Sequence, residues 1–223
     1  MNSAVEYSQA GEIATLRIDD GKANAMSAPV IAEINDGLDR AAQEARAVVI
    51  RGRDGVFSGG FDLKVIRGSD EALKATMRKA GMELLKRLYL SPQPIILAVT
   101  GHAVAMGALL TLTADWRIGV SGDFRIGLNE TSIGLPLPVA GLELARDRLA
   151  PTALQRATIN AERFSPADAV EVGYLDQAVE MSDFDAAVTE AGSRLGALDP
   201  TAFAETKRRV RQATINRIEQ LGG

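Results

Sequence analysis

The sequence has no cysteine and only one histidine, His102, among its 223 residues. These absences exclude disulfide scaffolds, thiol nucleophiles, zinc clusters and iron–sulfur sites, and they leave too few ligands for any soft metal. We therefore expect no metal site. The chemistry of the protein must come from carboxylates, hydroxyls, lysines or backbone groups.

The sequence also lacks an excess of positive charge and a long hydrophobic run. A net charge of −4 and a pI near 5.2 give no attraction to phosphate backbones, so no nucleic-acid partner is expected. The longest nearly uncharged apolar stretch, residues 103–114, is shorter than the roughly 20 residues of a membrane span and is interpreted as a buried core helix. Residues 1–16 do not have the pattern of a signal peptide, which predicts a cytoplasmic protein.

The composition, 46% hydrophobic and 24% charged, is typical of a globular domain with a sizeable core. Short apolar runs with β-branched residues predict strands over residues 14–18, 47–50 and 94–99. Between these runs, apolar residues at helical spacing predict helices over residues 29–42 and 73–90, the first capped by Ser27. Alternating strands and helices with short loops indicate an α/β fold.

The last third of the chain is predicted to be mostly helical, because the strand signal fades after Pro151. The predicted helices cover residues 152–160, 165–172, 184–195 and 200–221. We expect a single domain over residues 1–223. Within it, residues 1 to about 180 form the α/β core and residues from about 181 to 223 form a short helical C-terminal segment.

Residues 57–64, FSGGFDLK, place two adjacent glycines directly after a predicted strand. Paired glycines let the backbone turn sharply and leave N–H groups pointing outward, an arrangement that suits an anion or oxyanion. Taken alone, a plain tight turn is the simpler interpretation. A phosphate loop is excluded because the glycine-lysine-serine ending is missing.

Two further segments carry candidate chemistry. Residues 100–107, TGHAVAMG, form a second strand-to-helix junction with free N–H groups at the helix start. His102 is interpreted there as a packed or surface histidine, because no Ser-His-Asp order accompanies it. Residues 126–136 hold one acid, Glu130, in an apolar and glycine-rich run. Such a carboxyl group can exchange protons near neutrality, although a glutamate that only caps the loop is an equal alternative.

Together and in this order, these segments resemble the crotonase superfamily, the enoyl-CoA hydratase/isomerase fold. The resemblance covers roughly residues 5–179 and includes KANAM at residues 22–26, which is similar to an early family signature. It implies a crotonase-like spiral of β-β-α units with a mostly helical C-terminal region. It also implies an acyl-CoA thioester substrate, no separate cofactor because CoA is part of that substrate, and a homotrimer or hexamer.

The resemblance also implies a set of site residues. The backbone N–H groups of Phe61 and Met106 are expected to hold the thioester oxygen and stabilise an enolate where it forms. Glu130 is expected to be the catalytic acid–base group. The other implied substrate-binding residues are Ala23, Ala25, Gly60, Lys64, Gly107 and Leu109. The backbone around the two alanines is expected to contact the CoA arm.

One of these positions departs from the hydratase pattern. Family hydratases use two glutamates, at the positions that match Leu109 and Glu130, and only Glu130 is present here. A leucine can neither orient water nor carry a proton, so the sequence favours isomerisation of a 3-enoyl to a 2-enoyl thioester. Residues 126–131 are similar to the corresponding loop of Δ3,Δ2-enoyl-CoA isomerases. A hydratase that uses another second acid and a non-catalytic acyl-CoA-binding protein stay open as alternatives.

Two features of the resemblance concern the periphery of the site. Residues 65–66 and the helix of residues 77–90 are expected to form walls of the acyl pocket. Lys207, Arg208 and Arg209 lie on the last predicted helix. A solvated basic face is the simpler interpretation of these three residues, and contact with the CoA phosphates is the alternative.

Overall fold

The computed structural model describes residues 3–221. Its strands are β1 (Val5–Ala10), β2 (Ile13–Ile18), β3 (Ala47–Arg51), β4 (Gly55–Ser58), β5 (Ile95–Val99), β6 (Gly101–Val104), β7 (Trp116–Val120), β8 (Ile126–Gly127) and β9 (Gln177–Val179). Its α-helices are α1 (Ala28–Glu44), α2 (Leu63–Arg67), α3 (Glu71–Tyr89), α4 (Met106–Thr111), α5 (Val139–Arg148), α6 (Leu154–Thr158), α7 (Pro166–Val172), α8 (Met181–Gly196) and α9 (Pro200–Leu221). A 3₁₀ turn covers Thr131–Ile133.

Within the described residues, the strands form two sheets. The larger has six strands in the order β1-β2-β3-β5-β7-β9, with β1 and β2 antiparallel and the remaining neighbours parallel. The smaller has three parallel strands in the order β4-β6-β8. Parallel neighbours need crossover connections, and the helices between the strands supply them.

The larger sheet separates two apolar cores. Successive side chains of a strand point to opposite faces, so alternate residues of the buried central strands enter different cores. On one face, Val49 and Ile118 pack with Phe184 of α8. On the other face, Ile50 packs with Ile34 of α1. Both faces are therefore covered by helices, as expected for a mostly parallel sheet.

The C-terminal helix α9 is attached to the core by buried charged groups. Its Arg211 donates hydrogen bonds to the carbonyl oxygens of Tyr89, Thr113 and Ala114, which follow or end α3 and α4. Its Lys207 forms an ion pair with Asp115 at 2.6 Å, and Arg211 contacts the same carboxylate at 3.0 Å. These bonds satisfy carbonyl groups that a helix end leaves without partners.

Most of the predicted elements are confirmed. Ser27 caps α1 by accepting a hydrogen bond from Val30 N at 3.4 Å, and the helices predicted in the last third of the chain are all present. The prediction of one core helix over residues 103–114 is wrong. Residues 101–104 form strand β6 because they pair with β4 and β8, and the helix begins only at Met106. No helix within residues 3–221 is long and apolar enough to cross a membrane.

Candidate active site

The three candidate segments follow the three strands of the smaller sheet. β4 leads to Phe61, β6 leads to Met106, and β8 leads to Glu130. The strands are parallel, so their carboxyl ends lie at one edge and the segments that follow them start from the same place. A hydrogen bond of 3.2 Å from Ala105 N to Gly127 O joins the second segment to the third.

The backbone N–H group of Phe61 is oriented by the peptide to which it belongs. Met26 N donates to Gly60 O at 2.8 Å, which fixes the carbonyl side of the Gly60–Phe61 peptide. A trans peptide is planar and its N–H points opposite to its C=O, so the Phe61 N–H points away from Met26. This N–H makes no hydrogen bond within residues 3–221 and is available to a ligand.

The backbone N–H group of Met106 is available for a different reason. Met106 is the first residue of α4, and the first N–H groups of a helix have no carbonyl partner within it. Ala105 has φ of +49°, a turn that lets α4 begin directly after β6. A Cβ built on Gly60 would lie 3.4 Å from Met106 N, so Met106 N lies next to the Gly60–Phe61 peptide. Two free N–H groups are therefore neighbours.

The side chains of Phe61 and Met106 pack against the same glycine of α3. A Cβ built on Gly81 would lie 2.6 Å from Phe61 Cε1 and 3.4 Å from Met106 Cε. The first separation is below any normal carbon–carbon contact, so the missing side chain at Gly81 makes the space that the Phe61 ring occupies. These two side chains thus form a wall between α3 and the free N–H groups.

A cavity of about 340 Å³ lies between α3, α5 and α9, and neither Phe61 nor Met106 lines it. Its apolar lining includes Met82, Leu85, Leu144, Ile215 and Ile218. Helix α3 contacts the Phe61 ring at Gly81 and lines the cavity with other residues, between Lys79 and Tyr89. The two other residues predicted as pocket walls, Val65 and Ile66, are half-buried in α2.

The loop of residues 20–26 is folded around the carboxylate of Asp20. This carboxylate accepts hydrogen bonds from the N–H groups of Lys22, Asn24 and Ala25 at 2.7, 2.8 and 2.9 Å. Burial alone would raise the pKa of Asp20, but the backbone donors lower it below its usual value. Ala23 O accepts from Gly59 N at 2.8 Å, which fastens the loop to the glycine pair. The backbone of Ala23 and Ala25 thus runs beside residues 59–60.

Glu130 is a buried carboxylate, with only 8% of the residue exposed. Its backbone carbonyl accepts from Ile133 N and Leu135 N, both at 3.0 Å, so the loop around it is well defined. Within residues 3–221 its Oε2 is buried and has no hydrogen-bond partner. Burial raises the pKa of Glu130 above its usual value, and bonds from its own N–H and that of Asn129 only partly oppose this.

The remaining predicted substrate-binding residues lie in different surroundings. Leu109 is 1% exposed in α4, and a Cβ built on Gly141 of α5 would lie 3.0 Å from Leu109 Cδ2. Gly107 lies against Ser58, at the end of β4. Lys64 is exposed near the start of α2, and its backbone N–H donates to Asp62 Oδ1 at 2.8 Å.

The structure corrects the interpretation of Lys207. Its side chain is 5% exposed and paired with Asp115, so it does not belong to a solvated basic face. Burial lowers the pKa of Lys207 to about 8, against the opposite influence of the Asp115 charge. Arg208 and Arg209 are exposed as predicted, and both pair with Glu205. Consecutive residues of a helix point about 100° apart, so Lys207 faces the core at Asp115 while Arg208 and Arg209 face outward.

His102 is a packed residue, as predicted. It is half-buried in β6, its Nδ1 accepts from Arg125 N at 3.0 Å, and its ring meets Phe124 edge-on at 5.4 Å.

The sequence interpretation missed the polar residues that hold the site together, Asp20, Asn24 and Ser58. All three bond to backbone groups of residues 18–60. The available signal was the tendency of aspartate, asparagine and serine side chains to bond to N–H groups a few residues further on.

The chain is similar to known proteins over almost its whole length. A profile of the enoyl-CoA hydratase/isomerase family matches residues 8–221. The human mitochondrial enoyl-CoA delta isomerase 1 is 31% identical over 96% of this chain and 72% of its own length. The crystal structure of the human mitochondrial delta3-delta2-enoyl-CoA isomerase superimposes with a TM-score of 0.93 at 30% identity, covering 97% of this chain and 86% of that one.

Two bacterial structures are equally similar in fold. An enoyl-CoA hydratase/isomerase family protein from Pseudomonas syringae is 40% identical with a TM-score of 0.94, over 97% of this chain and 94% of that chain. A probable enoyl-CoA hydratase from Mycobacterium tuberculosis is 35% identical with a TM-score of 0.94, over 97% and 92% of the two chains. This chain belongs to the enoyl-CoA hydratase/isomerase family, and it is an enzyme of the crotonase superfamily. The predicted spiral of β-β-α units with a helical C-terminal region is confirmed.

Proposed function

We propose that this enzyme converts 3-enoyl-CoA to 2-enoyl-CoA with Glu130 as its single acid–base group. The observation that carries the proposal is the buried carboxylate of Glu130, one oxygen of which has no hydrogen-bond partner within residues 3–221. Glu130 follows a strand of the smaller sheet at the same edge as Phe61 and Met106, whose backbone N–H groups are free. The similarity to the human isomerase supports the proposal, since that protein covers nearly the whole chain.

In the proposed reaction, the ionised carboxylate of Glu130 removes a proton from C2 of the 3-enoyl thioester. The electrons of the broken C–H bond move toward the thioester carbonyl and form a conjugated enolate. The N–H groups of Phe61 and Met106 donate to its oxygen, where preorganised donors of this kind contribute about 3–4 kcal/mol each. The protonated Glu130 then returns the proton to C4, the double bond shifts to C2–C3, and the carboxylate is restored.

Hydration is disfavoured because no second carboxylate stands at position 109. Leu109 is buried against α5 and has no group that orients water. Glu143 of α5 is a second deeply buried acid, and it is paired with Arg146 at 2.7 Å and Arg217 at 2.6 Å. Each oxygen of the Glu143 carboxylate therefore already binds a guanidinium group.

The CoA arm is proposed to lie along the loop of residues 20–26. The backbone around Ala23 and Ala25 is held in place by bonds to Asp20 and Gly59, and this fixed segment beside residues 59–60 is where the arm is proposed to lie. Gly60 and Gly107 let the two donor segments pack closely, against Ala105 and Ser58 respectively. The exposed side chain of Lys64 is proposed to meet the phosphates. We expect no separate cofactor and retain the homotrimer or hexamer and the cytoplasmic location as predictions.

The test is to incubate the purified protein separately with a 3-enoyl-CoA and with the matching 2-enoyl-CoA and to follow the absorbance of the conjugated thioester. We expect the first substrate to gain this absorbance and the second to keep it. Rapid loss of absorbance from the 2-enoyl-CoA would show hydration and would contradict the proposal.

A further inference from the structure

Ser58 joins the loop of residues 20–26 to the glycine pair. It is the last residue of β4 and is fully buried. Its hydroxyl donates to Asn24 O at 2.8 Å and accepts from Gly60 N at 3.2 Å. Asn24 is itself fixed, because its side-chain amide donates to Ile18 O at 2.9 Å and to Phe57 O at 3.2 Å. The hydroxyl of Ser58 therefore ties Gly60 to a rigid part of the fold.

Gly60 is the residue whose backbone angles set the direction of the Phe61 N–H. Its φ is +96°, and glycine adopts positive and negative φ values about equally easily, so the local sequence does not fix this conformation. The Ser58 hydroxyl holds its N–H, and Met26 N holds its carbonyl oxygen. With both ends of Gly60 restrained, the peptide that carries the Phe61 N–H has one orientation.

Ser58 also contacts the segment that carries the other N–H donor. A Cβ built on Gly107 would lie 2.9 Å from Ser58 Cβ and still closer to the Ser58 carbonyl oxygen. The first turn of α4 therefore rests directly on Ser58, one residue after Met106. A single buried side chain thus touches the loop beside the site and both donor segments.

We propose that Ser58 is a positioning residue whose hydroxyl fixes the angle between the Phe61 N–H and the Met106 N–H. The inference rests on the proposed function, since it presumes that these two groups hold an enolate oxygen. Removal of the hydroxyl leaves Gly60 N and Asn24 O without this buried partner. The backbone angles of Gly60 can then change, and the Phe61 N–H no longer points at the enolate oxygen. Catalysis of this kind is sensitive to small misplacements of the donors.

The test uses the enolate itself. A 3-oxoacyl-CoA, for example acetoacetyl-CoA, loses a C2 proton to solvent, and its enolate absorbs in the near ultraviolet. Bound to the protein, it reports donor strength by the pH at which half of it is ionised, with no turnover required. For Ser58→Ala we expect this midpoint to rise by an amount equal to a threefold to tenfold loss of enolate stabilisation, about the effect of one misplaced neutral hydrogen bond. Binding of butyryl-CoA, which does not ionise, stays within about twofold of wild type.

The matched control is Thr214→Val in α9. Thr214 is 1% exposed, and its hydroxyl donates to Asp147 Oδ1 at 3.1 Å. This variant also loses one buried hydroxyl, but away from the smaller sheet. It is expected to lose stability and to keep the wild-type enolate midpoint. A shift of the same size in Thr214→Val would assign the effect to general loosening and overturn the inference.

Three outcomes separate the inference from the proposed function. A folded Ser58→Ala protein with the wild-type midpoint refutes the role of Ser58. If Ser58→Ala does not fold, Ser58→Cys is used instead, because a thiol is close in size to the hydroxyl but a much weaker hydrogen-bonding group. A wild-type midpoint in that variant refutes the role equally. If the wild type lacks isomerase activity while Ser58→Ala still shifts the midpoint, the positioning role stands and the proposed reaction falls.

Discussion

Glu130→Gln is the substitution that most directly tests the proposed chemistry. Glutamine keeps the shape of the side chain but cannot carry the proton between C2 and C4. Loss of an acid–base group lowers turnover by about 10²–10⁴-fold, and the lower limit corresponds to about 2.7 kcal/mol of transition-state stabilisation. We expect at least the hundredfold loss, because the deeply buried Glu143 is already held by two arginines and cannot replace the missing carboxylate.

The same variant has a predictable effect on stability. Burial raises the pKa of folded Glu130 above the unfolded value, so the folded state binds this proton more tightly than the unfolded chain does. The free energy of unfolding of the wild type therefore falls as pH rises from the unfolded pKa through the folded pKa. Glutamine has no such dependence. At neutral pH the variant is expected to be at least as stable as the wild type, an advantage that shrinks on acidification.

The assay combines isomerase turnover, saturated acyl-CoA binding and thermal melts at several pH values. The wild-type kcat/KM should rise with pH along a limb whose midpoint lies above 4.5, the ordinary glutamate value. Glu190→Gln, an exposed position of α8, is the matched control and should change neither turnover nor the pH limb. A folded Glu130→Gln protein with near wild-type turnover would refute the assignment of Glu130.

Four further substitutions test other parts of the site and fold. Leu109→Glu adds a carboxylate in α4 to that of Glu130 and should add hydratase activity, and a thermal melt should show a loss of a few kcal/mol of stability. A folded variant with no gain in hydration would show that the pocket geometry differs from that of family hydratases. Phe61→Ala and Met106→Ala should change the preferred acyl chain length and the apparent affinity, because their backbone donors remain; loss of turnover on every chain length by a folded variant would contradict a main-chain role. Lys207→Met should lower the free energy of unfolding by about 1.5–3 kcal/mol in denaturant titrations and leave turnover per folded molecule unchanged, since Arg211 still pairs with Asp115. An unchanged denaturation midpoint would show that the pair contributes nothing.

The sequence predicted the parts of the fold that local patterns encode. The caps and apolar spacing of α1 and the buried run of β5 are readable because each signal lies within a few residues. Strand β6 was not predicted, because residues 101–104 are as apolar as the helix that follows them. Their strand conformation depends on pairing with β4 and β8, which are distant in sequence.

The candidate site divides in the same way. Glu130 and the glycine pair could be singled out from residue types, and the motif order gave the family resemblance. The contact of the Phe61 ring with Gly81, however, joins a loop to the middle of α3. The burial of Lys207 depends on Asp115, which precedes β7. Neither contact leaves a local signal, since each is made by two elements that meet only in the folded chain.

The attachment of α9 has a consequence for how the protein folds during synthesis. The strands that lead to the candidate site are complete by Gly127, well before Arg211 leaves the ribosome. Until then, the carbonyl groups at the ends of α3 and α4 lack the guanidinium that caps them in the native state. Chains fold progressively from the N-terminus as they emerge, so the partly made protein holds exposed helix ends beside an apolar core. Nascent chains stalled before α9 should therefore be protease-sensitive and dependent on chaperones, and those stalled after α9 has emerged should resist cleavage.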